Sequence, residues 1–166
     1  MIKVQEKSTG SENRSKDLDI SFAATLENVD RASKKIKRII KREGIKNLGF
    51  NIILGVREAL INSVIHGSMG DGSKIIRLNM FLGDNRLIVE VEDQGEGFDW
   101  KALISKKLPS MEESGRGLAI MKKSFSSIEY NQKGNRVVMT KKFSPSPSSR
   151  LSPVRSSGSD SAQNRT

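Results

Sequence analysis

The amino-acid sequence predicts an α+β fold in two layers, with helices packed on one face of a mainly antiparallel mixed sheet. Three observations lead to this class. Several short segments alternate apolar and polar residues, as strands do, whereas two longer segments carry apolar residues at helical spacing. Along the chain these segments follow the order strand, two helices, two strands, loop, helix and two strands. Successive strands joined by short turns favour antiparallel hairpins.

The predicted domain spans residues 17–143 and lies between two polar ends. Residues 1–16 show no apolar pattern, and residues 144–166 are rich in Ser, Pro and Arg. Neither end carries enough apolar surface to offset the entropy lost on ordering. We therefore expect a disordered lead-in and a flexible tail.

The first half of the domain is expected to hold one strand and two helices. Residues 18–22 alternate and predict the strand. The first helix is amphipathic and should end at Gly44, because glycine readily takes the conformation that terminates a helix. The second helix, at about residues 47–66, is apolar on most sides and should be mostly buried. The apolar stripe of the first helix comprises Val29, Ala32, Ile36, Ile39 and Ile40.

The second half is expected to begin and end with a hairpin. Residues 76–82 and 87–91 predict two strands around a Gly83-Asp84-Asn85 turn with a longer loop. Asp99 could cap a short helix ending at Ile104, and residues 105–114 predict a loop. A helix that opens on glycines should cover residues 115–125. Residues 127–130 and 136–143 predict the last hairpin.

Composition excludes several classes of site. The chain has 166 residues, no Cys and one His. It therefore cannot form a disulfide scaffold, a Cys zinc site, a thiol nucleophile or a multi-His metal site. No run of about 18 apolar residues is present and the N-terminus has no apolar targeting segment, so a cytoplasmic location is the expectation.

The positive charge is concentrated in one segment. The formal net charge is +10, and residues 31–46 hold eight basic residues against one acid, Glu43. This pattern is compatible with a solvated helix face, a contact with an acidic protein partner, or nucleic-acid binding. Aromatic residues make up only 5% of the chain, so direct nucleic-acid binding is the least favoured of the three. The basic residues are Arg31, Lys34, Lys35, Lys37, Arg38, Lys41, Arg42 and Lys46.

A polar stripe interrupts the apolar second helix. Glu58, Asn62 and His66 are spaced by four residues and therefore project from one face. The stripe extends over about 12 Å, which suits the phosphate end of a nucleotide. A solvated stripe on a half-exposed helix would give the same pattern.

Two glycine-containing segments follow. In Asp93-Gln94-Gly95-Glu96-Gly97, a carboxylate at the end of a strand could accept a hydrogen bond from an amino group, or the segment could be a tight turn. In Gly115-Arg116-Gly117, a helix start could bind an anion through backbone N–H groups and an arginine. A helix start without a ligand is equally compatible.

Taken together in this order, the three segments resemble the GHKL ATP-binding superfamily, named for gyrase, the heat-shock chaperone, histidine kinases and the MutL repair protein. Glu58, Asn62 and His66 resemble its N box, and the two glycine segments resemble its two glycine boxes. The resemblance covers about residues 17–143 and is nearest to the bacterial anti-sigma factor and serine-protein kinase branch. It implies a Bergerat-type ATP-binding fold.

The resemblance also implies roles for single residues at the magnesium ion, in proton transfer and at the adenine ring. Asn62 would be a magnesium ligand and Glu58 the general base. Asp93 would bind the adenine amino group, and Gly95 and Gly97 would make room for the ring.

The resemblance implies further residues around the phosphates and around adenine. Gly115, Arg116 and Gly117 would hold the phosphates. Thr140 resembles the position that helps Asp93 to bind adenine. His66 would lie near the phosphates, or would be an ordinary helix-end histidine.

The function implied by the resemblance is that of an anti-sigma factor that is also a serine/threonine-protein kinase. It would use ATP and Mg²⁺, sequester a sigma factor and phosphorylate a serine on an anti-anti-sigma antagonist, and it would form a homodimer. His66 is the only histidine and lies within the N box, so no separate phosphoaccepting histidine exists in this chain. The alternative is a non-catalytic ATP-binding protein that switches partners.

Overall fold

The computed structural model describes residues 16–45, 49–83, 85–97 and 113–143. The predicted tail, the predicted helix at residues 99–104 and all but the last residue of the predicted lead-in lie outside these ranges. The elements are, in order, β1 (Lys16–Ala23), α1 (Leu26–Arg42), α2 (Gly49–Asn62), a π-helical turn (Ser63–Gly67), β2 (Ile75–Gly83), β3 (Arg86–Glu92), α3 (Glu113–Ser124), β4 (Ser127–Tyr130) and β5 (Arg136–Lys142).

The five strands form one sheet in the order β1-β2-β3-β5-β4. Every strand pairing in the described part is antiparallel, which confirms the predicted fold class. The β2–β3 connection is shorter than predicted, because Gly83 already pairs with Arg86 and only two residues lie between them. Apolar side chains on one face of the sheet and on the three helices form a shared core.

Helix α1 packs through the predicted stripe, and all five of its apolar residues are buried. Thr25 caps the N-terminus by accepting a hydrogen bond from the N–H of Asn28 at 3.3 Å. At the other end Gly44 has a φ of +70°, and its N–H donates to the carbonyl of Lys41 at 3.2 Å. The predicted glycine stop is confirmed, because this left-handed geometry is the one that glycine adopts without strain.

Helix α2 occupies the centre of the helical layer and contacts both α1 and α3. Ile52, Val56 and Leu60 are buried, but Phe50 is 76% exposed, so the helix is less buried than predicted. Gly55 allows the approach of α3, since a Cβ there would lie 2.9 Å from both the Phe125 ring and the Cβ of Ser124. None of the helices in the described ranges is long and apolar enough to cross a membrane.

Candidate functional site

A cavity of about 280 Å³ opens between the end of α2, the end of β3, helix α3 and the β4–β5 hairpin. It is lined by four of the residues that the sequence singled out: Asn62, His66, Asp93 and Gly97. The predicted stripe on α2 and the predicted loop after β3 therefore meet at the same space. Most of the cavity wall is apolar, including Val91, Leu118 and Met121, which suits a flat aromatic ring.

The polar side chains of α2 lie against α3 at Gly117. A Cβ at Gly117 would lie 3.1 Å from Oε2 of Glu58, and 3.6 Å from Nδ2 and 3.8 Å from Oδ1 of Asn62. The missing side chain thus lets two oxygen-bearing groups of α2 approach the backbone of α3. Carboxylate and amide oxygens are hard donors that suit Mg²⁺, so these two residues fit the ion that the resemblance implies.

Asp93 is the buried carboxylate of the cavity and is only 8% exposed. Its Oδ1 accepts a hydrogen bond from the N–H of Gly95 at 2.8 Å, and the buried Ser63 lines the same cavity. Burial raises the pKa of Asp93, while the Gly95 N–H, the nearby Ser63 side chain and the positive charges of Lys133 and Lys74 act in the opposite direction. An ionised carboxylate here is an acceptor without donor capacity, which suits an amino group.

The backbone of Asp93 is fixed to the β4–β5 hairpin through a single residue. The N–H of Asp93 donates to the carbonyl of Asn135 at 2.9 Å. The Asn135 side-chain amide donates in return to the carbonyl of Asp93 at 2.8 Å. Asn135 also lines the cavity, so the same residue orients the carboxylate and forms part of the wall.

The glycines after Asp93 make room mainly for other parts of the protein. A Cβ on Gly95 would overlap the carbonyl oxygen of Gly67, and a Cβ on Gly97 would overlap the carbonyl oxygen of Lys133. Gly97 also has a φ of +78°, a conformation that side chains disfavour. These glycines let the loop lie close to the π-helical turn and to the hairpin, and Gly97 in addition lines the cavity.

Helix α3 begins at Glu113, two residues earlier than the sequence predicted. Gly115 and Gly117 therefore lie inside its first turns rather than at an open end. The N–H of Gly117, four residues beyond Glu113, falls within the regular hydrogen-bonding pattern of the helix. Arg116 is exposed and is not among the residues that line the cavity. The predicted phosphate-binding segment is thus near Glu58 and Asn62, but its glycine N–H groups are not all free.

Thr140 does not lie where the prediction needs it. On β5, Val137 and Met139 are buried and belong to the core beneath the helices. Neighbouring residues of a strand point to opposite faces, so Thr140 faces away from the cavity. The expectation that Thr140 assists Asp93 is therefore not supported.

Sequence reasoning missed two polar residues of the cavity, Ser63 and Asn135. Ser63 directly follows Asn62, and its position in the cavity wall depends on the π-helical turn, which the sequence pattern does not predict. Asn135 belongs to the predicted turn of the last hairpin. The signal available in the sequence was that Asn135 directly follows Gly134 in the turn of this hairpin.

A comparison with protein families gives a match to the histidine kinase-like ATPase domain over residues 22–141. The chain belongs to this family. Among curated relatives, the anti-sigma F factor of Clostridium perfringens is 32% identical over 101 residues, which is 56% of this chain and 71% of the relative. The anti-sigma F factor of Clostridium botulinum is 32% identical over 95 residues, covering 53% and 66%.

The same similarity extends beyond the clostridia. The anti-sigma F factor of Oceanobacillus iheyensis is 30% identical over 98 residues, which is 55% of this chain and 67% of that protein. The resemblance to the anti-sigma factor branch is confirmed at the level of the family. The chain thus has the fold of the histidine kinase-like ATPase domain family and is similar to its anti-sigma F factors.

Proposed function

We propose that this protein is an ATP-dependent anti-sigma factor and a serine/threonine-protein kinase. It sequesters a sigma factor and phosphorylates a serine on an anti-anti-sigma antagonist. The observation that carries the proposal is the placement of Glu58 and Asn62 beside Gly117, next to a cavity that also contains the buried Asp93. Phosphoryl transfer from ATP needs a carboxylate that takes the proton of the attacking hydroxyl, close to an oxygen ligand for Mg²⁺. It also needs a separate hydrogen-bond acceptor that holds the adenine ring.

The nucleobase is placed at Asp93. The carboxylate accepts the amino group of adenine, and the apolar wall formed by Val91 and Met121 contacts the ring. A buried polar group without a partner costs about 1–3 kcal/mol, so a base that lacks the amino group is disfavoured.

The phosphates are placed along the polar face of α2 toward the start of α3. The Asn62 side-chain oxygen, with the phosphates, would hold Mg²⁺, which supplies charge neutralisation when bound. His66 lines the cavity, and Arg116 directly precedes Gly117 in α3, so both are the proposed contacts for anionic oxygens.

Glu58 is the proposed general base. The serine Oγ of the antagonist forms a bond to the γ-phosphorus, the bond from that phosphorus to the β–γ bridging oxygen breaks, and ADP leaves. Glu58 takes the proton of the attacking hydroxyl. Its half-exposed position on α2 leaves it accessible to a hydroxyl from another protein.

The cationic face of α1 is the proposed contact for an acidic part of the sigma factor. Arg31 pairs with Glu27 at 2.6 Å, and Asp30 pairs with Arg57 at 2.9 Å. Arg42 pairs with Glu43 at 2.6 Å. The other cations on the described helix are exposed: Lys34, Lys35, Lys37, Arg38 and Lys41. Such a surface accelerates the encounter with an acidic partner. We also propose a homodimer and a cytoplasmic location.

The proposal is tested by capture of partners from the native cell with and without ATP, followed by mass spectrometry of the antagonist for phosphoserine. Purified antagonist and radiolabelled ATP then measure transfer directly. Glu58→Ala should abolish transfer while ATP still binds. Glu129→Ala is the matched control, because Glu129 is an exposed glutamate on β4. Phosphoryl transfer retained by Glu58→Ala would refute the role of Glu58 as general base.

A second candidate function is a non-catalytic switch in which ATP only sets the affinity for a partner. The observation that favours it is the helical position of Gly117, whose N–H is not at an open end. Partner capture that depends on ATP, without any phosphoserine on the antagonist, would select this alternative.

A further inference from the structure

The outward face of α2 carries apolar side chains that the core does not use. Phe50 is 76% exposed, and neither Phe50 nor Leu54 is among the described residues that form the core or pack against it. The two are four residues apart, so they are neighbours on one face of the helix. Ile61, seven residues beyond Leu54, shares this face and is partly buried against the core. Contiguous apolar side chains at a surface mark a contact with another molecule.

Two contacts fix how α1 lies beside this apolar face. Nη2 of Arg57 on α2 lies 2.9 Å from Oδ1 of Asp30 on α1. Nearer the start of α2, a Cβ on Gly49 would lie 2.9 Å from Cγ2 of Ile40, which belongs to the second half of α1. The two helices are therefore antiparallel along this stretch, and the exposed apolar residues of α2 lie within it.

The flank of α1 that borders α2 is cationic. Asp30 reaches α2, and residues four, seven and eleven positions further along α1 lie on the same side of that helix. These residues are Lys34, Lys37 and Lys41, and all three are exposed. The apolar face of α2 is thus bordered by a row of positive charges. A partner that complements both features has apolar side chains bordered by acidic ones.

This surface also restricts the backbone of its occupant. Both α1 and α2 are regular helices whose backbone groups bond within the helix, so they offer no strand edge to which an extended segment could add. An occupant that covers an apolar face must satisfy its own backbone hydrogen bonds, as an α-helix does. Side chains at helical spacing also form ridges that fit the grooves of another helix.

We propose that the joint surface of α1 and α2 docks an acidic amphipathic helix of a partner protein. The apolar side chains of that helix cover Phe50 and Leu54, and its carboxylates pair with Lys34 and Lys37. Phe50 lies about 18 Å along α2 from Asn62, so this surface is separate from the nucleotide cavity. The inference rests on the proposed acidic partner of α1 and deepens it, because it adds an apolar anchor and names the recognised element as a helix.

The test uses a synthetic peptide whose binding to the full chain is followed by fluorescence polarisation. The peptide has about 16 residues, long enough to form a helix, with Leu at every third or fourth position and Glu beside each Leu. A second peptide replaces every Glu by Lys, and a third replaces every Leu by Gln. The acidic peptide should bind saturably and more weakly as salt is added, and both control peptides should bind at least about tenfold more weakly.

Substitutions in the chain then locate the contact. Phe50→Ala should weaken the acidic peptide about 10- to 30-fold, as expected for an aromatic anchor. Met69→Ala is its matched control, because Met69 is 78% exposed and lies in the loop after the π-helical turn. Lys37→Glu should weaken binding about fivefold. Lys142→Glu makes the same change of charge at an exposed position of β5 and should have little effect.

The outcomes separate this inference from the proposed function. An affinity unchanged by Phe50→Ala, or lowered equally by Met69→Ala, would overturn the docking surface, even if Lys37→Glu still weakened binding and so left a charge contact on α1. Equal binding of the Lys-containing peptide would overturn both the inference and the acidic partner of α1. No saturable binding of the acidic peptide to the unsubstituted chain would overturn the inference alone, because ATP binding and phosphoryl transfer are measured without it.

Discussion

Asp93→Asn is the substitution that most directly probes the base site. The asparagine keeps the size of the side chain and one oxygen, which can still accept from the N–H of Gly95. Its NH₂ group replaces the other oxygen and places a donor where the amino group of adenine must also donate. If the amide flips, its NH₂ group faces the Gly95 N–H instead, and two donors then lie against each other.

The magnitude follows from the hydrogen bonds at the site. Loss of one bond to a charged acceptor, and an unpaired donor left in a buried place, together cost about 2–4 kcal/mol. We therefore expect the affinity for ATP to fall roughly 30- to 900-fold. Isothermal titration calorimetry measures this change directly.

The same substitution has an opposite effect on stability. Burial raises the pKa of Asp93, so the ionised group costs stability as pH rises from the ordinary range of an aspartate through its raised pKa. The neutral asparagine lacks this cost. We expect Asp93→Asn to melt at the same or a higher temperature near neutral pH, with no gain at acidic pH.

These two measurements together decide the interpretation of Asp93. A folded variant that binds ATP as tightly as the unsubstituted chain would refute the placement of the base. A variant that loses both ATP binding and stability would show that Asp93 supports the fold rather than the ligand.

Two further substitutions test the glycines that shape the chain. Gly44→Ala should lower the free energy of unfolding by about 1–2 kcal/mol without altering ATP affinity, because the residue has a φ of +70° and open space around it; chemical denaturation measures this, and a loss of ATP affinity would contradict it. Gly97→Ala should cost about 1–3 kcal/mol and also weaken ATP binding, since its Cβ would displace the loop from the Lys133 carbonyl; wild-type affinity in this variant would show that the loop does not shape the site.

The sequence predicted the architecture because its periodic patterns are strong. The apolar stripe of α1 that includes Ile36 is buried in full, and Gly44 ends the helix, since both features depend on local spacing. The alternation in β3 likewise agrees with its burial, with Leu87 and Val89 in the core. Such patterns report which face of an element is buried and do not depend on distant contacts.

The site was predicted less completely because its contacts join distant segments. Asn62 and Asp93 reach the same cavity as expected, but Asn135 and Ser63 acquire their roles only through tertiary packing. Thr140 was misplaced because a shift of one residue along a strand moves a side chain to the opposite face of the sheet.

The most direct test of the account is a calorimetric titration of the chain with ATP in the presence of Mg²⁺, repeated with Glu58→Ala and Asp93→Asn. We expect saturable binding to the chain and to Glu58→Ala, and binding roughly 30- to 900-fold weaker in Asp93→Asn. No saturable binding to the unsubstituted chain, or equal binding by Asp93→Asn, would contradict a nucleotide site in this cavity.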